Sequence, residues 1–246
     1  MQSPPLPVTK NNITGYAFLF DMDGTLAPIA ASPEQAMVPD ATRAALKELH
    51  EACGGALAIV SGRPISEIDH LVAPQVYCAA GLHGAQVRGP DGRQTQLTVD
   101  SDAVGAMVRA LLPLVQAHAG LQLEDKGLSL ALHYRNAPDL QALASEAVNA
   151  VLLPHTDAFV LQPGKMVLEI KPRGASKAGA ISRLMETPPF AGRLPLFAGD
   201  DLTDEAGFDM ARQMGGVSIK IGEGDTRAEW RMPTPAALAG WLALLY

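Results

Sequence analysis

The chain has 246 residues, 48% of them hydrophobic and 18% charged, with a formal net charge of -7 at pH 7. This composition supports a sizeable core and excludes wholesale disorder, and the length fits one large domain or a core carrying an inserted module. The acidic balance argues against nucleic acid as a partner, since no surplus of Lys and Arg exists to displace its counterions, and leaves room for a small anion held by local cations.

Met1–Tyr16 has no basic end followed by a long apolar run, so no secretory signal is expected. From Tyr16 the pattern predicts a strand over Ala17–Phe20, a helix over Ala41–Cys53, a strand over Leu57–Val60 and a helix over Ile65–Val72. That alternation is the mark of a parallel sheet flanked by helices. The rhythm then changes. A helix over Asp102–Ala119 leads to a strand at Leu121–Glu124, a turn at Asp125-Lys126-Gly127 and a strand over Leu128–Arg135. The unit repeats as a helix over Asp139–Leu152, a strand at Ala158–Gln162, a turn at Pro163-Gly164-Lys165 and a strand over Met166–Lys171. Two helix-then-hairpin units predict four antiparallel strands with helices on one face.

Alternation assigns the faces of that sheet. Leu128, Leu130, Leu132 and Tyr134 point one way, against Ser129, His133 and Arg135; Met166, Leu168 and Ile170 oppose Lys165, Glu169 and Lys171. A polar face with paired charges is thereby available to a ligand. The first pattern resumes with a helix over Ser176–Met185, a strand at Leu196–Ala198, a helix over Asp204–Met214, a strand over Val217–Ile221 and a last helix. Residues 1–84 and 172–246 are expected to form one discontinuous α/β core, with 85–171 as an inserted α+β cap. The apolar tail Pro235–Tyr246 spans about twelve residues where a bilayer needs roughly twenty, so it is expected to pack on the core and no membrane association is expected. Cys53 and Cys78 lie outside any CxxC or Cys/His cluster and are expected as buried thiols in a reducing, cytoplasmic setting.

Chemistry gathers at strand ends. Phe18-Leu19-Phe20-Asp21-Met22-Asp23-Gly24-Thr25-Leu26 sets two carboxylates two residues apart where an apolar strand gives way to a glycine loop. Ligands of open α/β sheets sit at such ends, where loop N–H groups can hold anionic oxygens. Asp21 is expected to attack phosphorus, with a cation offsetting the repulsion between two anions. Asp23 would protonate the leaving oxygen and later take a proton from water. Gly199-Asp200-Asp201-Leu202-Thr203-Asp204-Glu205 again follows an apolar strand; close aspartates repel one another unless a cation is present, and oxygen-only ligands near phosphate suit magnesium. Ala58-Ile59-Val60-Ser61-Gly62-Arg63 offers a hydroxyl and a glycine amide to a phosphate oxygen. Lys177 opens a helix where its ammonium could neutralise both phosphate and the attacking carboxylate.

Asp21–Leu26, Ser61, Lys177 and Asp200–Asp204 stand in the order of the four motifs of haloacid-dehalogenase-type phosphatases, and the likeness covers nearly the whole chain. Within that superfamily, Gly81-Leu82-His83-Gly84-Ala85, Leu132-His133-Tyr134-Arg135 and Glu169-Ile170-Lys171-Pro172-Arg173-Gly174 resemble the trehalose-6-phosphate phosphatase family, which works beside trehalose-6-phosphate synthase. The resemblance implies a Rossmann-like core with a C2-type cap. It also implies magnesium on Asp21, the backbone carbonyl of Asp23, and Asp200, with Asp201 and Asp204 in support. Catalysis would fall to Asp21, Asp23, Ser61 and Lys177, with Gly24, Thr25, Gly62 and Arg63 also touching substrate. The sugar would be gripped by Glu124, Lys126, Lys165 and Glu169, with His83 and Arg135 facing substrate or positioning the cap. Gln86 departs from the family's usual Glu. Two alternatives stand beside this reading: a phosphatase of another sugar phosphate, such as sucrose 6-phosphate or a hexose phosphate, and a non-catalytic sugar-phosphate-binding module that assists a synthase.

Overall fold

A computed structural model describes residues 5–30 and 32–246; residues 1–4 and 31 of the expected core stretch 1–84 lie outside the described residues. The chain divides into two compact units, one running to Thr95 and resuming over Ser176–Tyr246, the other Gln96–Ala175. The divisions therefore fall later than 84/85 and 171/172. At the first, Gln86–Arg88 pairs antiparallel with Cys78–Gly81 and so stays with the core sheet.

The first unit contains, in chain order, β1 (Tyr16–Phe20), α1 (Asp40–Ala52), β2 (Leu57–Val60), α2 (Ile65–Val72), β3 (Cys78–Gly81), β4 (Gln86–Arg88) and β5 (Gln94–Gln96). The second unit contributes α3 (Ser101–Ala117), β6 (Gln122–Asp125), β7 (Leu130–His133), α4 (Gln141–Leu152), β8 (Phe159–Gly164) and β9 (Val167–Pro172). The first then resumes with α5 (Lys177–Met185), β10 (Leu194–Gly199), α6 (Glu205–Gln213), β11 (Val217–Ile221), β12 (Trp230–Met232) and α7 (Pro235–Leu242). Its eight-stranded sheet runs β12-β11-β10-β1-β2-β3-β4-β5, with parallel pairing from β12 through β3.

The central strands β1, β2 and β11 are buried along their whole length, as continuous apolar runs covered by helices on both faces must be. Phe18, Phe20, Phe197 and Phe208 are fully buried, and each such side chain contributes about 1.5–3 kcal/mol relative to exposure. Side-chain caps fix where key helices begin: Ser176 Oγ accepts from Gly179 N at 3.0 Å at α5, and Thr234 Oγ1 from Ala237 N at 3.1 Å at α7. Chain order reverses direction across the sheet at β1, whose neighbours are β10 on one side and β2 on the other. Such a switch opens a crevice at the carboxyl ends of the strands.

In the second unit the antiparallel order is β6-β7-β9-β8. Leu130, Leu132, Leu168, Ile170 and Phe159 share a core with Val104, Met107 and Leu111 of α3 and with Ala144, Val148 and Leu152 of α4. The expected strand Leu128–Arg135 is shortened to β7. The expected turn at Pro163-Gly164-Lys165 moves to Lys165 and Met166, because the register that buries Leu168 and Ile170 pairs Gly164 with Val167. Met166 there takes a left-handed φ of 64°.

Candidate active site

Three parallel strands bring the acids together. Phe20 pairs with Ala198 of β10 and with Ile59 of β2, so the residues that follow, Asp21, Asp200 and Ser61, leave the sheet at neighbouring ends. Asp21 is buried, and its backbone N–H donates to Ala198 O at 2.9 Å. Lys177, the first residue of α5, reaches into the same place: its Nζ donates to Asp21 Oδ1 at 2.6 Å and to Asp204 Oδ1 at 2.5 Å. Asp204 Oδ2 accepts from the N–H groups of Asp200 and Asp201, each at 3.0 Å. Asp204 thus holds Lys177 with one oxygen and the loop amides with the other, and Asp201 caps the short turn Leu202–Asp204. Among the described residues, Asp21, Asp200 and Asp204 form an acidic cluster whose ligand oxygens lie within 4.8 Å of one another.

The electrostatics of this cluster are those of a cation site. Burial, opposed by Lys177 and reinforced by Asp204 and Asp200, holds the Asp21 carboxyl well above the usual range. Burial and the charges of Asp204 and Asp201 push Asp200 up to about 7. Burial works against the Lys177 ammonium, but Asp204 and Asp21 outweigh it and hold the lysine protonated beyond its ordinary value. The Lys177 ammonium pairs with Asp21 and Asp204, and the acids still outweigh the lysines around Asp200. Hard oxygen donors with surplus negative charge fit a divalent cation such as Mg2+.

The loop after β1 is built around Gly24. Its φ of 83° is left-handed, and a Cβ there would collide with the Asp200 carboxylate, so glycine lets the two acidic loops meet. The Gly24 N–H donates to Ala27 O at 2.7 Å and the Thr25 N–H to Met22 O at 3.4 Å, so these amides close the loop on itself. Thr25 is buried, and its Oγ1 has no hydrogen-bond partner among the described residues. Asp23 is not part of that cluster, and both its oxygens are held by Arg63: Nε to Oδ2 at 2.7 Å and Nη2 to Oδ1 at 2.8 Å. Arg63 Nη1 also donates to Glu67 Oε2 at 3.0 Å. Burial would weaken the guanidinium charge, but the hydrogen bonds and charge of Asp23, aided by Glu67, hold it above its ordinary range.

Ser61 is buried after β2, and its Oγ accepts from Arg63 N at 3.2 Å. His83 packs over Gly62, where a Cβ would stand 2.7 Å from His83 Nε2. Leu82 and His83 both adopt left-handed φ, 50° and 55°, held there by hydrogen bonds from Leu82 N to Arg63 O and from His83 N to Ser61 O, each 2.9 Å. Local strain of this kind collects at functional sites. Gln86 uses its side-chain oxygen to accept from Ile65 N at 3.1 Å at the start of α2, a role for which an amide serves without a charge.

In the second unit, the register aligns Glu124, Ala131, Glu169 and Gln162 across the four strands on one face. Lys126 Nζ lies 3.4 Å from Glu169 Oε1 and 3.9 Å from Glu124 Oε2. Ser129 Oγ lies 3.4 Å from Glu169 Oε1, and His133 Nε2 lies 2.9 Å from Glu124 Oε2. Burial alone would raise Glu124, but the His133 hydrogen bond and the Lys126 charge hold it below the usual carboxylate range. Lys165 is exposed in the β8–β9 turn, where its carbonyl accepts from Arg135 Nη2 at 3.5 Å.

Two residues of the core site escaped sequence reading. Lys220, paired in register with Gly199, donates from Nζ to the Asp200 carbonyl. A lysine inside the apolar strand Val217–Ile221 was the available signal. Glu67, four residues beyond Arg63 and in the first turn of α2, carried only the ordinary signal of a helix-surface pair.

A trehalose-phosphatase family model matches residues 19–236. The trehalose-6-phosphate phosphatase of Escherichia coli K12 is 43% identical over 246 residues, covering 98% of this chain and 90% of that protein. The C-terminal domain of Candida albicans trehalose-6-phosphate phosphatase superposes with a TM-score of 0.84 at 23% identity, covering 99% of this chain and 98% of that one. A haloacid dehalogenase-like hydrolase from Bacillus subtilis superposes with a TM-score of 0.66 at 14% identity over 94% of this chain and 100% of that one, a likeness of fold alone.

Proposed function

We propose that this chain, which belongs to the trehalose-phosphatase family, hydrolyses trehalose 6-phosphate to trehalose and phosphate by way of a phosphorylated Asp21. The observation that carries the mechanism is Lys177 bridging Asp21 and Asp204 beside Asp200 at the switch point of the sheet.

Asp21 is the nucleophile: a carboxylate oxygen bonds to phosphorus as the phosphorus–sugar oxygen bond breaks. Lys177 keeps its charge when buried and so can offset the repulsion between the carboxylate and an incoming phosphate. Asp23 gives a proton to the departing sugar oxygen and takes one from the water that then attacks phosphorus, breaking the bond to Asp21. Ser61 and the Gly62 N–H are the expected partners of a phosphate oxygen. Asp21 and Asp200 would hold Mg2+, with Asp204 and Lys220 fixing the loop between them; when bound, the ion supplies Lewis-acid neutralisation of phosphate charge.

Glu124, Lys126 and Glu169 are the proposed sugar-binding groups, because charge-assisted hydrogen bonds suit hydroxyls. Arg135 and Lys165 are assigned to the same task at the edge of that face. The substrate would come from a trehalose-6-phosphate synthase, the expected functional partner. A cytoplasmic setting belongs to the same reading; Cys53 and Cys78 are free and buried, and among the described residues no helix is long and apolar enough to cross a membrane. Asp21→Asn tests the reading: phosphate release from trehalose 6-phosphate should fall by more than about 10³-fold with an unchanged unfolding midpoint. Substantial residual turnover would rule out Asp21 as the nucleophile.

A further inference from the structure

Asp23 lies on a loop with its side chain 38% exposed, so packing alone does not fix where its carboxylate points. Arg63 does. The Nε and Nη2 edge of the guanidinium grips both carboxylate oxygens, at 2.7 and 2.8 Å, the forked arrangement that sets direction as well as attraction. The clamp is itself anchored. Its side chain is 11% exposed, and Nη1 is tied to Glu67 at 3.0 Å. Its backbone is fixed at both ends: Arg63 N donates to Ser61 Oγ at 3.2 Å, and Arg63 O accepts from Leu82 N at 2.9 Å. The Arg63 carbonyl also lies against Gly81, where a Cβ would approach to 2.8 Å.

We infer that Arg63 is a positioning residue for the acid–base carboxylate of Asp23, and that its contribution to turnover is made through that carboxylate and not by holding the phosphoryl group. This rests on the reading of Asp23 as acid and base given above. In the first half of the reaction the Asp21–phosphorus bond forms, the phosphorus–sugar bond breaks, and the proton on Asp23 passes to the sugar oxygen. The demand on the acid follows the basicity of the leaving oxygen. A sugar alkoxide needs the proton, whereas a nitrophenolate departs without it, so a misplaced Asp23 harms one substrate and spares the other.

The experiment compares kcat/KM for trehalose 6-phosphate and para-nitrophenyl phosphate in wild type, Arg63→Gln, Arg63→Lys and Glu67→Gln, with unfolding midpoints measured alongside. Because kcat/KM reports only the steps through transfer to Asp21, the later hydrolysis does not blur the comparison. Arg63→Gln should lower kcat/KM for the sugar phosphate about 30-fold or more and for the aryl phosphate by less than about 3-fold. Arg63→Lys should fall between, since an ammonium cannot fork, and Glu67→Gln should give a smaller loss of the same selectivity. Should Arg63→Gln not fold, the last two variants decide the matter by the same ratio. Equal losses on both substrates would assign Arg63 to the phosphate and overturn the inference, as would no loss on either. Asp23→Asn, run in parallel, separates the two levels: if it too fails to discriminate between substrates, the acid–base reading falls; if it discriminates and the Arg63 variants do not, only the inference falls.

Discussion

The two units hold their charged residues in different ways. In the first, Lys177 is 3% exposed and lies 2.6 and 2.5 Å from its two carboxylates, while Asp204 is bonded through both oxygens. In the second, Lys126 is 11% exposed and stands 3.4 and 3.9 Å from its acids. Short, buried pairs fix atoms for bond-making, where a displacement of about 1 Å costs orders of magnitude in rate. The longer Lys126 contacts, although Glu169 is buried, leave charged groups whose directional hydrogen bonds suit the sugar hydroxyls of the proposed substrate. On the function proposed above, chemistry belongs to the first unit and selectivity to the second, a division that can be broken at either.

The largest effect is expected from Lys177→Met. Leaving the buried Asp21 and Asp204 carboxylates without the ammonium that bridges them should lower turnover about 10³-fold on sugar and aryl phosphates alike. A loss confined to the sugar phosphate would blur the division. Next come Glu124→Ala and Glu169→Ala. Each removes charge-assisted hydrogen bonds of about 1.5–3 kcal/mol, so kcat/KM for trehalose 6-phosphate should fall about 10- to 100-fold while para-nitrophenyl phosphate is barely affected. Parallel losses on the two substrates would remove the second unit from recognition.

The smallest effect concerns protons. The Asp200 carboxyl is pushed up to about 7 by burial and by Asp204 and Asp201, so on the proposed reading a proton and Mg2+ would compete for it. Because its folded value lies above the unfolded one, the metal-free fold carries the extra proton and loses stability as pH climbs from about 4 to about 7. Affinity for Mg2+ should therefore rise by up to about tenfold per pH unit toward 7 and level off above it, as calorimetric titration near pH 6 and near pH 8 would read. Asp200→Asn should abolish that dependence. A pH-independent affinity in the unaltered protein would detach Asp200 from the ion.

Legibility from sequence followed the strength of local pattern. Leu57–Val60, Ile65–Val72 and Val217–Ile221 match their elements end to end, since a buried parallel strand is a bare apolar run and an amphipathic helix repeats its apolar face. The β4–β5 strands went unseen because Gln86–Arg88 and Gln94–Gln96 are short and polar, and what holds Gln86–Arg88 is pairing with β3. The β8–β9 turn was misplaced because the Pro163-Gly164 signal is local whereas register is set by which leucine and isoleucine are buried. In the site, strand-end acids could be read as a constellation, but the Arg63–Asp23 clamp joins residues 40 positions apart and the Lys220–Asp200 contact joins residues 20 apart. No periodicity announces either; both arise from which strands lie side by side.

The position of β1 between β2 and β10 also bears on the order in which the molecule is made. Asp21 leaves the ribosome early, but the ammonium that serves it lies 156 positions downstream, and Asp204 comes a further 27 after that. A chain cut short before those residues would hold the proposed nucleophile without its counter-charge or the acids proposed to hold an ion. On the proposed mechanism, then, reactivity would wait on the docking of β10, and truncated chains would be inert toward phosphate esters.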